Sequence, residues 1–242
     1  MTLERVLALL ETMGLAENRA LYARHGIETP SYGVAFGHLR DLAKRVGTSA
    51  ALADSLWATG NHDARILATL VVGERGATQA RLRAWAGTLD NAVIADLFAR
   101  WAWRAKATRA LSAEWIASPV EWIARAGWMI RALHAIERAD IPDTAFAADL
   151  GVIEREIGGA ENRVRDAMNM ALIAIGIGRA ALTEDALAAA RRIGTVEVDY
   201  GESGGALVPA EAAIREGIEQ RDRRNAGRAG GKKSASRKRA AK

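Results

Sequence analysis

Signals that start and stop helices recur at short intervals along this chain. Thr2, Asn61 and Thr78 each precede a segment with helical apolar spacing, and Gly14 and Gly47 each follow one. Thr and Asn favour the first position of a helix, and Gly favours the residue after its end. With only four prolines in 242 residues, little interrupts these segments. The pattern predicts an all-α chain of about eleven or twelve short helices.

One stretch departs from this pattern. Residues 195–208 read TVEVDYGESGGALV, and the VEVDY portion alternates like a short strand. A strand needs a partner for its backbone hydrogen bonds, and the chain offers no second strand-like segment. We therefore expect an ordered loop here.

Short helices joined by tight turns favour stacked helical pairs, as in HEAT-like or armadillo solenoids. A faint internal repeat agrees with this: LADSLWATGNHDAR (52–65) and LSAEWIASPVEWIAR (111–125) share a leucine start, an aromatic residue, a cap and an arginine. The sequence predicts a HEAT-like α-α superhelix. A globular helical bundle remains the alternative.

The basic charge is concentrated at one end of the chain. Residues 221–242 contain ten Lys or Arg and one acid, a net charge of +9, against +5 for the whole chain, so residues 1–220 carry −4. We predict a folded domain over residues 1–220 and a disordered basic tail over 221–242. Such a tail binds polyanions without sequence specificity. Its candidate DNA-binding residues are Lys232, Lys233, Arg237, Lys238 and Arg239.

Several classes of function are disfavoured. The chain has no cysteine, and its four histidines lack ligand spacing, so we expect no metal and no cofactor. No apolar run reaches the ~18 residues that span a bilayer, and the charged N-terminus does not resemble a secretory signal. We expect a cytoplasmic monomer without a membrane partner.

The stretch from Asp90 to Arg131 holds five of the seven tryptophans together with six Lys or Arg residues. Tryptophans mixed with cations fit a packed helical core with a solvated rim. They also fit a surface that stacks on bases and contacts phosphates. Composition does not decide between these two interpretations.

Two charged residues in this stretch are candidates for function. Asp96 lies on a helix of mostly apolar residues, where it either pairs with Arg100 one turn away or has a functional role. Arg125 either pairs with Glu121 or contacts a phosphate, which its guanidinium fits. Both alternatives stay open at the level of the residues.

The chain resembles the bacterial DNA alkylation repair family, the HEAT-like alkylpurine DNA glycosylases. The matching segments cover about residues 30–200. They are YGVAFGHLRDLAKRVG (32–47), LADSLWATGNHDARILATLV (52–71), LDNAVIAD (89–96), WIASPVEWIARAGWMI (115–130) and ENRVRDAMNMALIAIGIGRAAL (161–182). The ending IGTVEVDYGESGGALVPAEAAI is similar to that of a divergent subgroup of the family.

The resemblance implies a protein that holds double-stranded DNA in the concave face of the solenoid and excises N3- and N7-alkylated purines. It places Asp96 on the catalytic carboxylate and Arg125 on an arginine that contacts the DNA backbone. Ala92 and Met170 stand where the family has tryptophans.

We therefore expect a DNA-binding protein, with Asp96 as the candidate catalytic residue of an N-glycosylase. Arg125 would contact the DNA backbone with help from Arg104, Lys106, Arg163 and Arg165. The alternative is a non-catalytic helical scaffold that binds nucleic acid or a protein partner.

Overall fold

The computed structural model describes residues 1–203 and 206–224, and within these residues all regular structure is helical, as predicted. Four single 3-10 turns, at Glu74–Gly76, Ile157–Gly159, Ala180–Leu182 and Gly201–Ser203, lie between longer helices. The α-helices are Leu3–Met13 (α1), Ala16–Arg24 (α2), Phe36–Val46 (α3), Ala50–Ala58 (α4), His62–Val71 (α5), Gln79–Ala86 (α6), Ala92–Ala102 (α7), Thr108–Trp115 (α8), Glu121–Glu137 (α9), Asp143–Glu156 (α10), Asn162–Gly178 (α11), Thr183–Ile193 (α12) and residues 210–224 (α13).

The predicted start signals act locally. The side chains of Thr2, Asn61 and Thr78 each accept a hydrogen bond from the backbone N–H three residues on, which satisfies a donor that the first turn would otherwise leave unpaired. At α7 the cap is Asn91, whose side chain accepts a hydrogen bond from the backbone N–H of Ile94. Side-chain chemistry thus fixes where these helices begin.

The helices form two layers. Helices α3, α5, α7, α9 and α11 lie side by side in an inner layer, and α4, α6, α8, α10 and α12 pack behind them in an outer layer. Helices α5, α7, α9 and α11 each pack against an outer neighbour, so this part of the chain is the predicted stack of helical pairs. Within the described ranges, no helix is both long enough and apolar enough to cross a bilayer.

The tryptophans belong mainly to the core. Trp57 stacks on Trp85 with ring centroids 4.2 Å apart, and Trp101 lies 4.9 Å from Trp85. Trp115 and Trp128 are almost fully buried. The tryptophan-rich stretch is therefore chiefly a packed core, and a base-stacking surface has to be sought in other rings.

The inner helices α5, α7, α9 and α11 run parallel, which gives their layer two distinct edges. Their C-terminal ends are tied together, because Trp101 Nε1 donates to the Gly73 carbonyl (2.9 Å), and His134 Nε2 donates to the Trp103 carbonyl (2.8 Å). We call this the C-terminal edge, and the opposite one, where these helices begin, the N-terminal edge. Because α7 has 11 residues, the edges are about 16 Å apart.

Candidate functional site

The N-terminal edge opens onto a cavity of about 520 Å³. Its walls come from α2, α3, α5, α7, α11 and the segment after α12, and three of its lining residues are aromatic: Tyr22, Phe36 and Tyr200. Most of the rest of the lining is apolar. Asp96 on α7 brings a carboxylate to this mainly apolar space.

A network of charges holds Asp96 in place. Arg125 Nε and Nη2 donate to Asp96 Oδ1 and Oδ2, both at 2.9 Å, and Arg125 Nη1 donates to Asp166 Oδ2 and to the Arg163 carbonyl, both at 2.8 Å. Four of the five N–H groups of the guanidinium are therefore used. The Arg125 side chain is 6% exposed, whereas that of Asp96 is 30% exposed. Arg125 is buried beneath the site, and Asp96 faces the cavity.

Neither of the ion pairs within one helix that the sequence offered for Asp96 and Arg125 forms in the structure. The ion-pair partner of Asp96 is Arg125, 29 positions away, and not Arg100. Glu121, which the sequence offered as a partner for Arg125, accepts a hydrogen bond from the Arg163 backbone N–H at 2.7 Å. Asp96 thus links α7 to α9, and Glu121 links α9 to α11.

Burial shapes the protonation of the site. Burial raises the pKa of Asp96, and Arg125 opposes this rise. Burial alone would lower the pKa of Arg125, but Asp96 and Asp166 together raise it, so the guanidinium stays charged. Burial also lowers the pKa of His62, which lines the same cavity, to about 4. At neutral pH the cavity therefore contains a neutral imidazole beside a carboxylate that its arginine holds.

The segment 195–203, which we call the strap, passes over the start of α11. Asn162 and Asp199 exchange two hydrogen bonds of 2.6 and 2.8 Å, and Arg165 Nη1 donates to the Glu197 carbonyl at 2.9 Å. The strap then reaches α2, where Gly201, at φ +64°, lies against the Arg24 carbonyl. The predicted ordered loop is thus one wall of the cavity.

Tyr200 is the strap residue that faces the cavity. Its hydroxyl donates to Asp166 Oδ1 at 3.0 Å, and the Arg163 guanidinium lies 4.7 Å from its ring centroid. Burial, reinforced by the charge of Asp166, raises the pKa of Tyr200 to about 12, so the phenol keeps its proton. The ring is therefore held from two sides by the same network that holds Asp96.

The structure separates the predicted site residues into groups. Asp96, Arg125, Arg163 and Arg165 come together at the N-terminal edge. Arg104 and Lys106 follow α7 at the C-terminal edge and are exposed there; the Arg104 guanidinium lies 4.3 Å from the centroid of the neighbouring tryptophan ring. The predicted tail residues fall outside the described residues: Lys232, Lys233, Arg237, Lys238 and Arg239.

Reasoning from the sequence missed the rings around the cavity. Ala92 lines the cavity but has no ring, and Met170 on α11 is exposed. The aromatic surfaces come instead from Tyr22, Phe36 and Tyr200, which are far apart in sequence. The sequence held one signal: Phe36 directly follows the long irregular segment 25–35, and Tyr200 lies within the long irregular segment between α12 and α13.

Comparisons with known proteins agree with this architecture. The family model described as DNA alkylation repair enzyme matches residues 6–219. A solved structure described as "a new family of proteins related to the HEAT-like repeat DNA glycosylases with affinity for branched DNA structures" superposes with a TM-score of 0.82. It shares 25% identity with this chain, over 91% of this chain and 95% of that one. No curated protein matches the chain.

Proposed function

The chain belongs to the DNA alkylation repair enzyme family, and from this premise we propose that it binds DNA across the inner layer of helices. Arg163 and Arg165 offer cations at the N-terminal edge, and Arg104 and Lys106 offer them at the C-terminal edge. With the edges about 16 Å apart, one DNA can contact both. The similar structure, with its affinity for branched DNA, supports this proposal.

We further propose that Asp96 is the catalytic carboxylate for release of N3- or N7-alkylated purines. An alkylated purine carries a positive charge, so it leaves with the bonding electrons of the glycosidic bond as a neutral base. Positive charge then grows on the deoxyribose, where a fixed carboxylate stabilises it until water adds at C1′. The observation that carries this proposal is a carboxylate facing a mainly apolar cavity.

Arg125 is, in this mechanism, a positioning residue. It holds both oxygens of Asp96 and opposes the rise that burial causes in the pKa of this carboxyl group. The phosphate contact implied for Arg125 would use its fifth N–H group, because the other four are already engaged.

The direct test is base release from methylated duplex DNA. Asp96→Asn keeps the shape of the side chain but loses its charge, so we expect release of 3-methyladenine and 7-methylguanine to fall at least about 100-fold. Asp54→Asn is the matched control, because Asp54 also pairs through both oxygens with one arginine, Arg81, but in the outer layer. Equal release by wild type and Asp96→Asn would remove the catalytic role.

A second candidate, DNA binding without chemistry, is favoured by two observations. Both oxygens of Asp96 are occupied by Arg125, and neither Ala92 nor Met170 provides a ring to pack against a sugar. In this case wild-type protein releases no base yet binds a three-way junction more tightly than a duplex of equal length.

Binding at the proposed face has its own test. Arg163→Ala should weaken binding of the three-way junction. The slope of log Kd against log salt concentration should fall by about 1, the contribution of one phosphate contact. Arg155→Ala is the control, because Arg155 is an exposed residue at the end of α10, in the outer layer. Equal effects of the two substitutions would mean that the inner layer is not the DNA-binding face.

A further inference from the structure

Asp166 on α11 is a second carboxylate bound to Arg125. Arg125 Nη1 donates to Asp166 Oδ2 at 2.8 Å, whereas Nε and Nη2 donate to the two oxygens of Asp96, both at 2.9 Å. The Asp166 side chain is 13% exposed and that of Arg125 is 6% exposed. One guanidinium is therefore shared between a carboxylate that faces the cavity and a carboxylate that is covered.

Two other elements hold Asp166 in this position. The Tyr200 hydroxyl, from the strap, donates to Asp166 Oδ1 at 3.0 Å, so each oxygen of Asp166 accepts a hydrogen bond from a different side chain. Arg125 Nη1 also donates to the Arg163 carbonyl at 2.8 Å, which ties the guanidinium to the start of α11. With both oxygens engaged, Asp166 has little freedom to leave Arg125.

Sharing the arginine changes the net charge of the site. Both oxygens of Asp96 accept N–H groups, as an ionised carboxylate does. Asp96 and Arg125 alone would sum to zero, and a neutral pair does little for a positive charge that grows on a deoxyribose. With Asp166, two carboxylates and one guanidinium sum to −1. Because Asp166 is covered, the cavity meets this charge at Asp96.

The other titratable and charged groups near Asp96 come from every element around the cavity. Among the described residues, Arg125 is the only cation that forms an ion pair with Asp96. Arg100 is exposed, so water and salt screen its charge, and the Arg163 guanidinium lies over the Tyr200 ring. These groups are His62 on α5, Arg100 on α7, Arg163 on α11, Tyr22 and His25 on α2, and Tyr200 on the strap.

We propose that Asp166 is a positioning residue that shares Arg125 with Asp96 and so leaves the site with a net negative charge at the cavity. The inference rests on the proposed catalytic role of Asp96. It explains how this carboxylate can act although Arg125 occupies both of its oxygens. The arginine orients Asp96, Asp166 offsets the charge of the arginine, and the remaining charge acts through space on the deoxyribose.

The first measurement follows the ionisation of Asp96 in the full-length protein without DNA. Aspartate labelled with ¹³C at the side-chain carboxyl carbon is titrated by NMR, and the signal that is missing in Asp96→Asn identifies the group. Burial raises the pKa of Asp96, Arg125 lowers it, and the charge of Asp166 raises it further. Asp166→Asn removes that charge and keeps the shape of the side chain, so we expect the midpoint of the Asp96 titration to fall by about 0.5–1.

The direction of this change distinguishes charge sharing from simple support. If Asp166 only held Arg125 in place, its loss would let the arginine move away and the midpoint of Asp96 would rise. Asp166→Ser removes the same charge with a smaller side chain and repeats the test if Asp166→Asn does not fold. Asp54→Asn is the matched control, because Asp54 pairs with Arg81 in the outer layer, and it should leave the midpoint unchanged.

The second measurement is single-turnover release of 3-methyladenine and 7-methylguanine from methylated duplex DNA between pH 5 and pH 8. We expect Asp166→Asn to release base at least about tenfold more slowly at neutral pH, because the negative charge beside the reacting sugar is lost. The acid limb of its pH profile should move to lower pH with the midpoint of Asp96. Asp166→Glu restores the charge and should recover most of the lost rate.

The outcomes separate this inference from the function on which it rests. A raised or unchanged midpoint in Asp166→Asn overturns the sharing of Arg125. A lowered midpoint with release equal to that of the wild type overturns the positioning role. Absence of base release by the wild-type protein overturns the proposed catalytic role of Asp96 and the positioning role with it, while the midpoint still decides whether Arg125 is shared.

Discussion

Two buried Asp–Arg pairs in this protein have similar chemistry but different surroundings. Asp149 on α10 pairs with Arg131 on α9, and their side chains are 6% and 7% exposed. Asp96 on α7 pairs with Arg125, also on α9, but Asp96 is 30% exposed because the cavity lies in front of it. We call Asp149–Arg131, which is closed off by packing, the sealed pair. We call Asp96–Arg125, whose carboxylate faces the cavity, the open pair.

The contrast indicates what each pair is for. Removing two charges from water is costly, and a sealed pair recovers the cost only through its own hydrogen bonds. Burial accordingly raises the pKa of Asp149 to about 6 despite Arg131. Asp96 carries a similar cost, but its carboxylate can reach a ligand. We infer that Asp149 fixes the packing of α9 against α10, whereas Asp96 serves the cavity.

Removing the carboxylate should lower the free energy of unfolding much more at the sealed pair than at the open pair. Asp149→Ala leaves Arg131 as a buried charge without its carboxylate, so we expect the free energy of unfolding to fall by about 3–5 kcal/mol. Asp96→Ala should cost only about 1–2 kcal/mol, because Arg125 keeps Asp166. Urea denaturation of both variants measures the difference. Equal losses would mean that the open pair is as structural as the sealed one.

Acidification should destabilise the protein through its two buried histidines. His62 beside the open pair and His134 at the C-terminal edge both have a pKa lowered by burial to about 4, against about 6.5 unfolded. Between these values the unfolded chain binds more protons, so stability falls as the pH drops from 6.5 to 4, by about 3 kcal/mol for each histidine.

Asp149 acts in the opposite direction over part of this range. Its pKa of about 6 when folded exceeds the unfolded value of about 3.9, so the folded state binds more protons and gains stability as the pH falls from 6 to 4. The two histidines together exceed the contribution of Asp149, and although Asp96, whose pKa burial also raises, acts in the same direction as Asp149, we expect a net loss. Urea unfolding across pH 4–7 should show a steeper loss in Asp149→Asn than in wild type. An unchanged slope would contradict the raised pKa.

A smaller and local effect is expected at the strap, which covers only the open pair. Asn162→Ala removes both hydrogen bonds to Asp199, so we expect local opening to become easier by about 1–2 kcal/mol. Hydrogen exchange of backbone amides at 196–200 should accelerate about tenfold, while global stability changes little. Unchanged exchange there would show that other contacts hold the strap.

Prediction from sequence succeeded where the cause is local and failed where it depends on packing. Asn61 and Thr78 cap helices because the group each one bonds is three residues away. The partner of Asp96 could not be found in this way, because Arg125 reaches it only when α7 and α9 pack side by side. The stack of helical pairs was therefore predictable, but the network around Asp96 was not.

The cavity shows the same limit. Tyr22 and Tyr200 meet around one space only because the strap folds back from the end of α12 to α2. Neither residue carries a local pattern that indicates this. The strap was predicted as an ordered loop, but its contacts depend on the position of α11 and α2 in the finished stack.

The central claim is that DNA lies on the inner layer, over the cavity. Hydrogen–deuterium exchange of the full-length protein with and without a three-way junction tests it most directly. We predict slower exchange in the strap and in the first turns of α9 and α11 when DNA is bound, with the outer helices α4, α6 and α8 unchanged. Protection confined to those outer helices, with the strap unchanged, would contradict the claim.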